Sequence, residues 1–267
     1  MRTLSAQQVA QLARWDGRVV QPRDAATVVI IRDGPAGRET FLIRRQPTMA
    51  FAAGMYVFPG GGVQDSDYAP VPWAGPGPPW WAERLSCAEG LAGALVVAAV
   101  REVFEETGLL LAGPDETTVI GEVAGLSPAR RSLEARDISL AAFLRDHGLK
   151  LRADLLSPWA HWITPEFQPR RFDTRFFVAM LPAGQSVGDL TTESDRGQWV
   201  RIEQALADVR NGAMQMMRPT RHTLTELLAV GNRPVAEAAA GRAVTTVAPR
   251  LVEIDGVRYI DGPGEDL

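Results

Sequence analysis

The sequence predicts an α+β protein in which a mixed β-sheet is sandwiched between helices (α/β/α). Short runs rich in β-branched and aromatic residues recur along the chain, and apolar stretches of helical length separate several of them. The two kinds of segment do not follow the regular βαβ alternation that a doubly wound parallel sheet requires. With 267 residues, 46% hydrophobic and 22% charged, the chain has the balance of an ordered protein with a sizeable core.

Ser5 to Trp15 reads as a short helix with Ser5 as its N-cap. The β-branched run Thr27 to Arg32 reads as a buried strand, Gly34 to Gly37 as a turn, and Thr40 to Arg44 as the other arm of a hairpin. Met55 to Phe58 is a third short strand, stopped by Pro59 and the glycines Gly60, Gly61 and Gly62. Proline and glycine crowd Tyr68 to Pro79, which predicts a surface loop without regular structure. A long helix over Trp81 to Thr107 follows, closed by Gly108 as a left-handed end residue.

Downstream, strands are expected at Thr118 to Val123, His161 to Thr164, Arg175 to Met180 and Gln198 to Val200. Helices are expected at Leu140 to Asp146, Ile202 to Asn211 and Thr220 to Val230, and a hairpin at Leu251 to Ile260 around Asp255-Gly256. The expected organisation is an N-terminal extension (1–22), one domain (23–231) with an insertion at about 68–87, and a C-terminal extension (232–267).

A formal charge of −4 argues against nucleic acid as a partner. Cys87 is the only cysteine, which excludes an intramolecular disulfide and a cysteine-rich zinc site. No run has the apolar length of a membrane span, and Met1 to Gln11 is too polar for a signal core, so a cytoplasmic protein without a membrane partner is expected. The pair Trp80-Trp81 suits core packing better than a partner surface, and a homodimer stays open.

The chemistry concentrates in Arg101-Glu102-Val103-Phe104-Glu105-Glu106-Thr107-Gly108. On a helix Glu105 and Glu106 stand at i+3 and i+4 from Glu102, so three carboxylates share one patch. They also fall in the last helical turn, where the helix dipole disfavours anions. A divalent cation reverses both penalties, and oxygen-only ligands suit Mg2+ or Mn2+. The plainer alternative is a solvated acidic helix end with Arg101 paired to Glu105. The upstream turn at Gly60 and Gly61 adds backbone that can approach a phosphate closely.

Together these residues resemble the Nudix box, in which a glycine is followed after five residues by glutamate and after seven more by Arg-Glu-apolar-x-Glu-Glu-x-Gly. Gly61 takes the place of the opening glycine, Asp67 stands where the first glutamate belongs, and 33 residues instead of seven separate Asp67 from Arg101. A split box is similar to the coenzyme A diphosphatase branch of that family. The same branch is resembled by Phe58-Pro59-Gly60-Gly61, Trp162-Ile163-Thr164-Pro165 and Arg170-Arg171-Phe172-Asp173-Thr174-Arg175-Phe176-Phe177.

The resemblance implies a Nudix fold and Mg2+ (or Mn2+) held by Glu102, Glu105 and Glu106, with Asp67 either joining them or capping a turn. It implies that Arg101 orients Glu105 and that the bond cleaved is a diphosphate linkage in a small-molecule nucleoside diphosphate. Coenzyme A or acyl-coenzyme A is the leading substrate, ahead of ADP-ribose, NADH or a nucleotide sugar; a non-catalytic nucleotide sensor is the alternative of another class. Glu193 is the candidate general base from outside the box. Arg170, Arg171 and Arg175 form the densest basic cluster and suit phosphate recognition, with Arg44 as a weaker candidate; surface exposure or an Arg-Asp pairing through Asp173 competes with that role. His161 and His222 read as structural.

Overall fold

The computed structural model describes residues 2–3, 6–49, 52–121, 123–189, 194–231, 233–255 and 257–262. Ser5, Glu193 and Gly256 therefore lie outside the described residues. In chain order the elements are β1 (Arg2–Thr3), α1 (Ala6–Ala13), β2 (Arg23–Gly34), β3 (Gly37–Arg45), β4 (Tyr56–Val57), β5 (Gly60–Gly62), β6 (Trp73–Ala74), α2 (Pro78–Leu85), α3 (Glu89–Thr107) and β7 (Ala112–Gly113). They continue as α4 (Ser127–Glu134), α5 (Leu140–Asp146), β8 (Lys150–Arg152), β9 (Ser157–Ile163), β10 (Phe172–Met180), β11 (Ser194–Arg201), α6 (Ile202–Arg210), α7 (Arg218–Val230), α8 (Val235–Ala240), β12 (Thr246–Val247), β13 (Arg250–Ile254) and β14 (Val257–Asp261).

The main sheet runs β11-β3-β2-β10-β9-β12, with β4 added to β3 and β5 to β2. It is mixed: β10 runs parallel to β2 and antiparallel to β9. Side-chain alternation along the central strands divides the core in two. Val28, Ile30, Phe177 and Ala179 face α3 and α5. Val29, Ile31, Phe176 and Val178 face α6, α7 and α8. Both faces of β2 and β10 are covered, which is why their sequences read as nearly unbroken apolar runs. The α/β/α sandwich follows directly.

Three expectations need correction. The helix expected over Trp81 to Thr107 is two helices, because Ser86 adopts a left-handed φ of 52° and ends α2 with its N–H on the Ala82 carbonyl. Pro78 to Leu85 then folds back against α3. The inserted segment is not structureless: the indole N–H groups of Trp73 and Trp81 both donate to the Pro76 carbonyl, and β6 pairs with β8. The expected strand at Thr118 to Val123 is absent among its described residues. Thr117 and Thr118 instead turn onto the Asp115 carboxylate through backbone and hydroxyl bonds, a local alternative to strand pairing.

Trp81 is fully buried and packs edge-on against Phe177, whereas Trp80 is 41% exposed. Trp81→Ala should destabilise the protein by roughly 3–5 kcal/mol and Trp80→Ala by less than about 1, as read by urea unfolding. Equal costs would contradict Trp81 as the anchor of the insertion.

Candidate active site

The apolar face of α3, with Val100, Val103 and Phe104, is buried in the core. This packing leaves Glu102, Glu105 and Glu106 along a cavity of about 1600 Å³. Gly108 closes the helix at φ 75°, donating its N–H to the Phe104 carbonyl. Opposite the helix, β5 pairs with Ala25–Thr27 of β2 and lays its glycines against the carboxylates. The Gly60 N–H donates to Glu106 Oε2 at 2.8 Å. A Cβ on Gly61 would sit 2.4 Å from Glu102 Oε1 and displace that carboxylate, and one on Gly60 would sit 2.5 Å from the Ala26 carbonyl, which only glycine avoids.

Arg101 organises the cluster from beneath. Nε and Nη2 donate to the two oxygens of Asp67, each at 2.9 Å. Nη1 donates to Glu102 Oε1 at 2.7 Å and to Glu105 Oε2 at 3.1 Å, and Nη2 also donates to the Gly62 carbonyl at 3.0 Å. All five guanidinium N–H groups are used. Burial works against the Arg101 charge, but the Asp67 hydrogen bond and the charges of Glu102, Asp67 and Glu105 outweigh it and raise its pKa. Arg101 stays a cation.

Asp67 is itself buried at the end of a short 3-10 turn and accepts a further bond from the Gln64 N–H at 2.8 Å. Its carboxylate is spent on the arginine. Of the two roles expected for Asp67, joining the glutamates or capping a turn, these contacts are those of the turn cap, and the same carboxylate is the counter-charge that docks the inserted segment onto α3.

Glu105 is only 8% exposed, and no group among the described residues donates to its buried Oε1. Burial pushes its carboxyl up to about 7, against the lowering effect of the Arg101 charge and with reinforcement from Glu102. Among the described residues no three acidic, histidine or cysteine side chains meet closely enough to hold a cation by themselves. Arg101 Nη1 stands between Glu102 and Glu105, and Glu106 is turned onto Gly60.

Arg130, which the sequence reading missed, closes the helix end. Its Nε and Nη2 donate to the Glu105 carbonyl at 3.0 and 2.8 Å, and Nη2 also reaches the Asp189 carbonyl at 2.6 Å. The last turn of α3 contains no basic residue, so this arginine from α4 supplies the cation that a helix C-terminus favours. The only signal in the sequence was that missing cation.

Of the candidate phosphate-binding residues, Gly60, Gly61 and Arg170 line the cavity. Arg44 does not; it forms a two-pronged pair with Asp195 at 2.8 and 2.6 Å. Alternation along β3 turns its neighbour Arg45 into the cavity instead. Arg171 is held by the carbonyls of Thr164 and Val20. Arg175 is buried against Asp173, with Asp24 at 3.9 Å. Of the roles weighed for these arginines, Arg44 and Arg175 thus show the Arg-Asp pairing and Arg171 holds backbone carbonyls. Arg136 and Arg218 join Arg45 and Arg170 on the cavity wall. His161 bonds Asp173 and Thr246, and His222 lies 3.4 Å from Glu226, in keeping with structural roles.

A family model described as the NUDT19 Nudix domain matches residues 78–227, more than half of the chain. The chain belongs to the Nudix hydrolase family. The Nudix hydrolase from Alicyclobacillus acidocaldarius has a crystal structure 31% identical to this chain, with a TM-score of 0.71, covering 85% of this chain and 99% of that one. Two curated Nudix relatives are named acyl-coenzyme A diphosphatase NUDT19. The one from Xenopus laevis is 25% identical over 225 residues, covering 71% of this chain and 59% of the relative. The one from Gallus gallus is 26% identical over 192 residues, covering 55% and 50%. This chain thus spans 59% and 50% of their lengths. The family match begins after Gly60–Gly62 and Asp67. Among the described residues no helix is long and apolar enough to cross a membrane.

The folded pKa of Glu105 lies above its ordinary value of 4.5, so its share of stability is complete below about 4.5 and is lost as pH rises through about 7. In chelator-treated protein, Glu105→Gln should therefore raise the melting temperature relative to the parent more at pH 8 than at pH 5. The same offset at both pH values would contradict a buried, proton-holding Glu105.

Proposed function

We propose that this Nudix hydrolase cleaves the diphosphate linkage of coenzyme A or an acyl-coenzyme A, with Mg2+ or Mn2+ held by Glu102, Glu105 and Glu106. The observation that carries the reading is the single cavity that joins these carboxylates and Gly60–Gly62 to basic and apolar walls. One end suits a diphosphate and the rest suits a long substrate of mixed polarity. The names of the two NUDT19 relatives point to the same substrate class.

The residues fit a hard divalent cation. They offer only oxygen, and the partnerless, buried Oε1 of Glu105 is a cost that an incoming cation removes. Mg2+ is commonly held by one or two carboxylates with phosphate oxygens completing the shell, which suits a site that does not close around an ion by itself. When bound, the ion neutralises the diphosphate and polarises an attacking water.

The protein's own groups supply position and charge. Arg101 keeps Glu102 and Glu105 side by side, and Asp67 keeps Arg101 in place. Arg130 fixes the backbone of the last helical turn. The glycine strand leaves room for a phosphate against the carboxylates, while Arg45, Arg136 and Arg170 are on the cavity wall to receive the remaining phosphate charge. A pure sensor would gain little from three clustered glutamates and an unsatisfied buried carboxylate oxygen, which favours the enzyme.

The test is release of adenosine 3′,5′-bisphosphate from coenzyme A in Mg2+, with ADP-ribose as the competing substrate. Glu106→Gln keeps an oxygen to accept the Gly60 N–H, so the fold should persist while kcat falls at least about 100-fold. Unchanged turnover by that variant would remove Glu106 from the site, and turnover of ADP-ribose alone would remove coenzyme A.

A further inference from the structure

The far end of the cavity is built from methionine. The sequence has seven methionines, and Met49, Met55, Met214, Met216 and Met217 all line this one space. They come from two connections, β3 to β4 and α6 to α7. The Tyr56 N–H donates to the Gln215 carbonyl at 2.8 Å, and Tyr56 also bridges Met216, so the two connections form one continuous wall. From Tyr56 the chain reaches Gly60 within four residues, through a bend at Pro59, so the methionine wall and the glycine strand that faces the carboxylates belong to one short stretch of chain. Met214 and Met216 are 7% exposed, while Met49, Met55 and Met217 are half-buried at the cavity surface.

Packing alone does not call for this composition. Met214 and Met216 also belong to the core on that side of the sheet, but its other members are mainly branched and aromatic side chains such as Val29, Ile31, Phe176 and Leu224, and Met49, Met55 and Met217 lie outside it. Methionine is unbranched and re-packs easily, which suits a surface that must cover flexible apolar partners of different length. The wall is continuous with the catalytic cavity, so its occupant belongs to the molecule whose diphosphate lies at the glutamates. The terminal segments close the same space: Gln11 and Ile260 line it, and Leu12, Phe167 and Ile260 pack together behind them.

We infer that Met49, Met55, Met214, Met216 and Met217 form a binding site for the thioester-linked acyl tail of the substrate. The inference rests on the coenzyme A reading above and adds a preference to it: the enzyme selects acyl-coenzyme A over free coenzyme A, and the gain grows with chain length until the wall is covered. The tail contributes binding, and the hydrolysed bond stays at the carboxylate end.

The experiment compares kcat/KM for coenzyme A, acetyl-, hexanoyl- and decanoyl-coenzyme A through adenosine 3′,5′-bisphosphate release. The parent should favour decanoyl-coenzyme A over coenzyme A by at least about tenfold, the scale of burying a few methylenes. Met55→Gln with Met217→Gln should cut that ratio at least about fivefold at an unchanged melting temperature, and Met217→Leu, which keeps the apolar volume, should retain it. If the double variant does not fold, Met49→Gln alone carries the comparison. Cleavage of coenzyme A with no dependence on chain length, or a ratio unmoved by the glutamines, overturns the tail site and leaves the coenzyme A reading standing. Turnover of ADP-ribose with no cleavage of coenzyme A or its thioesters overturns the substrate reading and the tail site with it.

Discussion

Arg101 lies almost wholly buried between two parts of the chain that must meet before a diphosphate can be bound, and each of its five N–H groups has an oxygen to hold. Two of those oxygens belong to Asp67, before the inserted segment; two belong to Glu102 and Glu105, after it; the fifth is the Gly62 carbonyl at the glycine strand. A guanidinium taken out of water at such cost is stable only with full pairing, and full pairing exists only when glycine strand, insertion and helix are all in register. The same contacts that satisfy the cation therefore assemble the site.

The arrangement also accounts for how three carboxylates are tolerated at the wrong end of a helix. Arg101 lies under two of them, the Gly60 N–H satisfies the third, and Arg130 caps the Glu105 carbonyl from another helix. What stays uncompensated is one oxygen of Glu105, buried and without a donor. Stability alone would remove that defect, so its presence beside a large cavity points to a ligand.

The sheet sandwich and the Arg-Glu-x-x-Glu-Glu helix were legible because their signals are local: nearly unbroken apolar, β-branched runs in β2 and β10, and i, i+3, i+4 spacing ending at a glycine. The break at Ser86 was not, since no proline or glycine marks it and the turn is stabilised by packing of α2 on α3. Asp67 stayed open between metal ligand and turn cap because its position in the box pattern says nothing of where its side chain points. The arginines show the same limit. Arg44 and Arg45 are adjacent, and only strand register decides that the second faces the cavity while the first pairs with Asp195. Arg130 and the methionine wall come from distant segments that only the tertiary fold brings together.

On the proposed reading, a divalent cation and a diphosphate meet between the glycine strand and the last turns of α3. Paramagnetic broadening of backbone amide resonances during a Mn2+ titration tests this most directly, because the effect falls off steeply with distance from the ion. Gly60, Gly61 and Gly62 should broaden first, together with amides around Glu105, and Glu102→Gln combined with Glu106→Gln should abolish the effect. Early broadening at another acidic place, such as Asp154 or Asp195, with Gly60–Gly62 unaffected, would contradict that reading.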